Sequence, residues 1–240
     1  MRADFDFFNF FLLYSAPYYA LLGLFYDISL SSIALSLTVD IFSNVVPFYL
    51  LRSTNPHNKA ISTPTTANAS LASNTPIRLY LTLFAASVYS VVVYTSFYTW
   101  IPTYLVLHFD SIRTLEYAYN AALPVLLIAF IPLGFAAKDF LFSASIASSR
   151  QNVTAQEFDP RTASLAETLA WNIGLTGWGK REDVLLKRTL LLVLMTLASS
   201  FAKIYGTVDG AEEYGALGWG AVFATAGALT GTGFAWVGDV

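Results

Sequence analysis

One stretch of 23 residues, Ser29–Leu51, carries a single charged residue near its middle and most constrains how this chain folds. A helix of that length rises about 34 Å, which is enough to cross the hydrocarbon core of a bilayer. The charged residue is Asp40, and a carboxylate at that depth costs about 2.5–3.5 kcal/mol unless it is neutral, paired or hydrated. We therefore expect other helices of the chain to present polar groups to Asp40.

The composition of the whole chain is typical of a polytopic membrane protein. Charged residues make up 12% of the 240 residues, whereas soluble domains carry about 25%. The sequence has no basic run with interleaved aromatic residues, so nucleic acid is not expected as a partner. Because there is no cysteine, disulfides and thiolate metal sites are excluded.

Six apolar segments indicate the fold. The first contains Pro17, a possible kink, and the third is too long for one upright span, so it must tilt, protrude or break near Trp100–Pro102. We predict an all-α, polytopic membrane helix bundle with about six transmembrane helices and a short interfacial amphipathic helix. The six segments are Phe5–Tyr26, Ser29–Leu51, Ile77–His108, Tyr117–Leu141, Val184–Tyr205 and Tyr214–Val237.

These segments predict a single membrane domain with five parts. Residues 1–51 form a first transmembrane hairpin, 52–76 a flexible polar loop rich in Ser, Thr and Asn, and 77–142 a second transmembrane pair. Residues 143–183 form a polar loop with an amphipathic helix, and 184–240 a third transmembrane pair.

The amphipathic helix in the second polar loop is predicted from a capping box, Ser164 and Glu167. Trp171 and Trp178 flank it, and tryptophans are enriched at membrane–water interfaces. The pattern favours a helix on the membrane surface, although a small lid packed on the bundle would have the same pattern. We predict an interfacial site for lipid headgroups formed by Trp171, Trp178, Lys180 and Arg181.

Asp40 and Asn44, one helical turn apart, are predicted to form an intramembrane polar site. No Lys or Arg is predicted at the same depth, so hydroxyl and amide groups are the expected partners. Two interpretations remain open: a hydrogen-bonded carboxyl that joins helices, or a proton- or cation-responsive site used in transport. The candidate partners on the third and fourth segments are Ser87, Tyr94, Tyr98 and Asn120.

Small residues at helical spacing mark the last segment, which includes a G-x-x-x-G match between Gly227 and Gly231. Small side chains let helix backbones approach closely in lipid. Such a stripe serves packing within the chain, a seam with a second copy or another membrane protein, or the lining of a narrow pathway. The stripe consists of Gly220, Ala224, Gly227, Gly231 and Ala235.

Loop charges predict the orientation. With six spans, the face that holds both termini and the two long loops receives eleven of the 13 Lys and Arg residues. The opposite face receives only Arg113 and Lys203. Because cytoplasmic loops carry the excess of positive charge, both termini are predicted to be cytoplasmic. The eleven are Arg2, Arg52, Lys59, Arg78, Lys138, Arg150, Arg161, Lys180, Arg181, Lys187 and Arg188.

Motifs of known enzyme classes are missing from the sequence. There is no G-x-S-x-G, H-E-x-x-H or P-loop, and the two histidines, His57 and His108, fall on opposite faces, so neither a cofactor nor a metal is expected. We predict a non-catalytic structural or accessory component of a membrane complex, in the endoplasmic reticulum or another organelle, whose partners are lipids and other membrane proteins. The alternatives are a small proton- or cation-coupled transporter or channel that uses Asp40, and an intramembrane lipid-modifying enzyme.

Overall fold

The computed structural model describes residues 2–51, 75–148 and 180–237, and this part of the chain is 88% helical with no strand. The all-α prediction is therefore confirmed. We number the helices in chain order and name the one π-helical segment separately. They are α1 (Arg2–Phe25), α2 (Leu30–Leu51), α3 (Thr75–Thr99), α4 (Ile101–His108), α5 (Glu116–Asn120), α6 (Leu123–Ala129), α7 (Ile131–Ala137), the π-helix (Lys138–Ser143), α8 (Ala144–Ser148), α9 (Lys180–Thr207) and α10 (Glu213–Val237).

Four unbroken helices among the described residues are long and apolar enough to cross a membrane: α1 from Asp6 onward, α3, α9 and α10. The pair Leu123–Ala129 and Ile131–Ile146, which bends by 53°, has the length and composition of a broken fifth span or of a re-entrant loop. The chain is thus a polytopic membrane bundle, as predicted. The second predicted span forms α2, whose apolar part, Leu30–Asn44, is shorter than a full crossing.

Three of the breaks between helices coincide with prolines, one of them at Pro124 in the first turn of α6. α3 ends at Thr99, and Pro102 lies in the first turn of α4, so the long third segment breaks where the sequence predicts it. Pro132 likewise lies in the first turn of α7, just after the bend. Proline lacks an N–H donor and is tolerated in the first turn of a helix, where that donor has no partner. Pro17, by contrast, lies inside the continuous helix α1.

The beginnings of α1 and α9 and the end of α10 lie at one end of the bundle, which we call the terminal end. Arg188 Nη2 lies 3.5 Å from Asp6 Oδ2, and Arg181 Nη2 donates to the Phe234 carbonyl at 2.9 Å. Both ends of the described chain are therefore at the same end of the bundle.

The opposite end, which we call the loop end, is joined through the backbone. The Arg113 N–H donates to the carbonyl of Phe25, the last residue of α1, at 3.1 Å. The Asp110 N–H donates to the carbonyl of Gly210, between α9 and α10, at 2.9 Å. These bonds hold the turns after α1, α4 and α9 together.

The core centres on Trp219 of α10, which is fully buried. Its indole N–H donates to the Pro17 carbonyl of α1 at 2.6 Å. The rings of Phe25, Phe97 and Phe223 surround it, with centroids 5.5, 6.2 and 5.5 Å away. Helices α1, α3 and α10 therefore meet in one aromatic cluster. The Pro17 carbonyl accepts the bond from the indole donor, which a buried tryptophan requires.

The small-residue stripe of α10 lies inside the bundle. A Cβ on Gly220 would come within 2.7 Å of the Ser200 Cβ, and a Cβ on Gly231 would overlap the side chain of Thr189. Gly227 faces Leu192 and Tyr89 at 3.3 Å, Ala224 is buried and Ala235 is half-buried. The predicted stripe thus packs against α9 and α3 of the same chain, so a seam with another protein would need a different surface.

Candidate functional site: an intramembrane ion pair

The position of Asp40 follows from the hairpin between α1 and α2. Asp27, in the turn, has φ of 53°, a left-handed conformation that reverses the chain within a few residues. α2 then runs back along α1, where a Cβ on Gly23 would lie 2.9 Å from the Ile33 Cδ1. This close approach places the side chain of Asp40 against the middle of α1.

One carboxylate oxygen of Asp40 accepts two hydrogen bonds. The Tyr19 hydroxyl of α1 donates to Oδ2 at 2.6 Å, and the Lys203 ammonium of α9 donates to the same atom at 2.7 Å. The side chains of Asp40 and Lys203 are 38% and 28% exposed. This ion pair connects three helices, α1, α2 and α9.

Aromatic rings of α1 surround the ammonium of Lys203. Its Nζ lies 5.5 Å from the ring centroid of Phe11, 5.5 Å from that of Tyr18 and 5.4 Å from that of Tyr19. Rings within about 6 Å attract a cation through their negative faces. The charge of Lys203 is thus stabilised by one carboxylate and three rings.

The predicted partners of Asp40 are wrong, apart from Asn44, whose Nδ2 donates to the Asp40 backbone carbonyl at 2.8 Å. The Ser87 hydroxyl donates to the Phe84 carbonyl in its own helix. Tyr94 and Tyr98 stack on each other, and Tyr98 is 83% exposed. Asn120 lies exposed at the end of α5. The reason is that α2 packs on α1 and not on α3.

The expectation that no basic residue lies at the depth of Asp40 is also wrong. Lys203 lies four residues before the end of α9, and its long stem reaches toward the bundle interior instead of toward the headgroups. A signal was present in the sequence, because Lys203 is the only basic residue in α9 after Arg188. A lone cation near a span end and a lone carboxylate within a span are natural partners.

A second polar cluster lies at the terminal end around the π-helix. The Arg188 Nη1 donates to the Phe140 carbonyl at 2.8 Å, and its guanidinium stands 5.0 Å from the Phe140 ring centre. Lys138, 1% exposed, has its Nζ 2.9 Å from Asp139 Oδ1, outside hydrogen-bonding geometry, and 4.1 Å from the Phe135 ring centre. A π-turn leaves backbone carbonyls out of the regular helical pattern, and Arg188 binds one of them.

The predicted headgroup site is only partly within the described residues. Trp171 and Trp178 lie outside them, and Lys180 begins α9. Arg181 bonds the Phe234 carbonyl and stands 5.9 Å from the Phe142 ring centre, so its described contacts are within the bundle. The headgroup site stays a prediction.

A third set of polar contacts, at the loop end, joins α4 to the beginning of α10. His108 Nδ1 lies 2.6 Å from Glu212 Oε2, and the Tyr104 hydroxyl donates to the Tyr214 carbonyl at 2.5 Å. Burial, and then the negative charge of Glu212, raise the pKa of Tyr104 above its usual value, so the phenol stays neutral and keeps donating. Among the described residues, no three His, Asp or Glu side chains are placed to hold a metal ion.

At the Asp40 site, the described contacts hold a carboxylate and an ammonium group together. Oδ2 of Asp40 accepts bonds from Tyr19 on α1 and from Lys203 on α9, so the carboxylate links three helices. An ion pair of this kind is strongly favoured over either charge alone in a low-dielectric surrounding. The geometry therefore joins helices.

A family model described as the Bouquet formation protein 3 C-terminal domain matches residues 74–206, more than half of the 240-residue chain. No curated protein and no solved structure matches the chain. The matched region extends from the residue before α3 nearly to the end of α9, so it includes Lys203 and leaves Tyr19 and Asp40 outside. The chain belongs to the Bouquet formation protein 3 C-terminal domain family.

Proposed function

We propose that this chain is a non-catalytic structural or accessory component of a membrane complex, located in the nuclear envelope or the endoplasmic reticulum. The observation that carries the proposal is the ion pair between Asp40 and Lys203, because the most conspicuous charge at bilayer depth is used to join helices. The family, that of a bouquet formation protein associated with the nuclear envelope, supports the location and the accessory role.

The loop charges support an orientation with both ends in the cytoplasm. With six spans, the sequence predicts eleven of the 13 basic residues on the face of the two termini. The contacts at the terminal end bring α1, α9 and α10 to one side. Positive charge is retained on the cytoplasmic face during insertion. The long polar segments would then also face the cytoplasm.

The test is the size of the complex that the protein forms in native membranes and the identity of the proteins in it. Solubilised in a mild detergent, the chain should migrate on a native gel above the same chain purified alone, and membrane proteins should co-purify in fixed ratio. Co-migration with the purified chain, and no partner in fixed ratio, would contradict the proposal.

The transport alternative is tested with the purified chain in liposomes that contain a pH-sensitive dye. We expect no proton or alkali-cation flux above that of empty liposomes, and no difference between the native chain and Asp40→Asn. A flux that Asp40→Asn abolishes while the helical circular dichroism is unchanged would establish a transporter.

A further inference from the structure

Helix α2 carries an exposed polar flank, formed by Ser29, Ser32, Ser36, Asp40 and Ser43. Their spacing of three, four, four and three residues places them along one side of the helix. The four serines are exposed, and Asp40 lies at the border between this flank and the side that packs on α1. The Ser29 and Ser32 hydroxyls lie 2.8 Å apart and Ser43 bonds the Val39 carbonyl, so among the described residues the Ser36 hydroxyl and Oδ1 of Asp40 are the groups of the flank without a partner. In lipid, no water is at hand to bond them.

The carboxylate in the middle of the flank accepts hydrogen bonds from the described residues through one of its two oxygens. Oδ2 of Asp40 accepts the bonds from Tyr19 and Lys203, and among the described residues Oδ1 accepts none. The side chain is 38% exposed. An acceptor with free lone pairs at bilayer depth gains from any donor that reaches it.

We propose that this flank docks a transmembrane helix of another protein, one with small residues along its contact face and a side-chain donor opposite Asp40. The small serines let a second backbone approach closely, as at membrane helix interfaces generally. The donor would complete the coordination of Oδ1. This inference rests on the proposed accessory function and names the surface that carries it out.

A second copy of the chain fits the flank less well. The Ser43 hydroxyl donates to the Val39 carbonyl at 2.6 Å, and the Thr38 hydroxyl donates to the Ala34 carbonyl at 2.6 Å. Asn44 already directs its Nδ2 to the Asp40 carbonyl. The hydroxyl donors next to Asp40 are thus used within α2, and two copies side by side would bring together two carboxylates.

The test uses the full chain in liposomes with synthetic transmembrane peptides as the probe. Because the chain has no cysteine, a fluorophore on Ala34→Cys, an exposed position two residues from both Ser32 and Ser36 and so on the other side of α2, reports the approach of a labelled peptide. One poly-leucine peptide carries alanine at every fourth position and a central Asn, and a second has Leu in place of that Asn. We expect the Asn peptide to bind about tenfold more tightly.

Variants of the chain locate the binding. Ser36→Leu and Ser43→Leu should abolish the preference for the Asn peptide because leucine keeps the backbones apart. Thr38→Leu, an exposed position of α2 on the far side from the flank, should leave it unchanged. Equal binding of both peptides, or an equal effect of Thr38→Leu, would overturn the inference. Energy transfer between two labelled copies that Ser36→Leu removes would show that the occupant is a second copy, which also overturns it.

The native gel separates this inference from the proposed function. If the native complex forms and Ser36→Leu does not reduce it, the partner binds elsewhere, and the inference fails while the proposed function stands. If the unmodified chain forms no complex, the proposed function fails. Loss of the complex with Ser36→Leu and its retention with Thr38→Leu would support both.

Discussion

At the scale of single residues, Tyr19 shows how an aromatic side chain serves two purposes in lipid. Its hydroxyl bonds Asp40 Oδ2 at 2.6 Å, while its ring stands 5.4 Å from the Lys203 ammonium. Tyr18 contributes only its ring to the same ammonium and accepts a long bond from Thr207 at 3.2 Å. The two neighbours therefore separate the hydrogen bond from the cation–π contact.

Tyr19→Phe should reduce the free energy of unfolding by about 1.5–3 kcal/mol, the range for a hydrogen bond to a charged group. Tyr18→Phe keeps its ring and is the matched control, with an expected loss below about 1 kcal/mol. Unfolding by SDS in mixed micelles, followed by circular dichroism, measures both. Equal losses for the two variants would show that the Tyr19 bond contributes nothing.

Trp219 provides a second residue-scale prediction. Trp219→Phe keeps an aromatic ring in the core but leaves the Pro17 carbonyl without the indole donor, so a loss of about 1–3 kcal/mol is expected. Trp219→Ala should cost about 3–5 kcal/mol because it also leaves a cavity. Thermal unfolding in detergent tests the order, and a Trp219→Phe variant as stable as the native chain would contradict it.

Single residues were the least predictable part of the site. The need for a partner at Asp40 follows from the sequence, since an unpaired carboxylate in lipid is costly. The identity of the partner does not follow, because Lys203 is 163 residues away and reaches Asp40 only through the packing of α9 on α1. Ser87 and Tyr94 are at suitable depths, but on a helix that α2 does not pack against.

At the scale of helices, the α9–α10 interface depends on small residues. Gly231→Ala should destabilise the bundle by about 1–3 kcal/mol because the added Cβ would overlap Thr189. Gly206→Ala in α9 is the control, since nothing lies within 4 Å of its would-be Cβ. Alanine there should be neutral or stabilising by up to about 1 kcal/mol. The same SDS titration measures both variants. A Gly231→Ala variant as stable as the native chain would mean that the α9–α10 interface has room for the added Cβ.

Helix positions were largely predictable from apolar segments and prolines. The break at Trp100–Pro102 and the boundaries of α9 and α10 follow from hydrophobicity and proline chemistry. The π-helix from Lys138 to Ser143 does not, because it depends on the tertiary contact between Arg188 and the Phe140 carbonyl. Propensity alone gives no signal for that contact.

At the scale of the whole molecule, the terminal and loop ends define two faces of a membrane. Chemical labelling of introduced cysteines in sealed microsomes tests which face is cytoplasmic. We expect His57→Cys, in the polar loop, to react with an impermeant maleimide without detergent. Asp209→Cys, exposed at the loop end, should react only after permeabilisation. The reverse pattern would show that the orientation predicted from the charge asymmetry is wrong.

The bundle as a whole is solvated by lipid, so its few internal charges must be stabilised by each other. A double-mutant cycle with Asp40→Asn and Lys203→Met, unfolded in lipid–detergent micelles, measures this directly. Each single variant should lose about 2–3 kcal/mol because one charge stays unpaired. The double variant should lose less than the sum by at least about 1 kcal/mol. Losses that add within about 0.5 kcal/mol would contradict the ion pair as the link between α2 and the bundle.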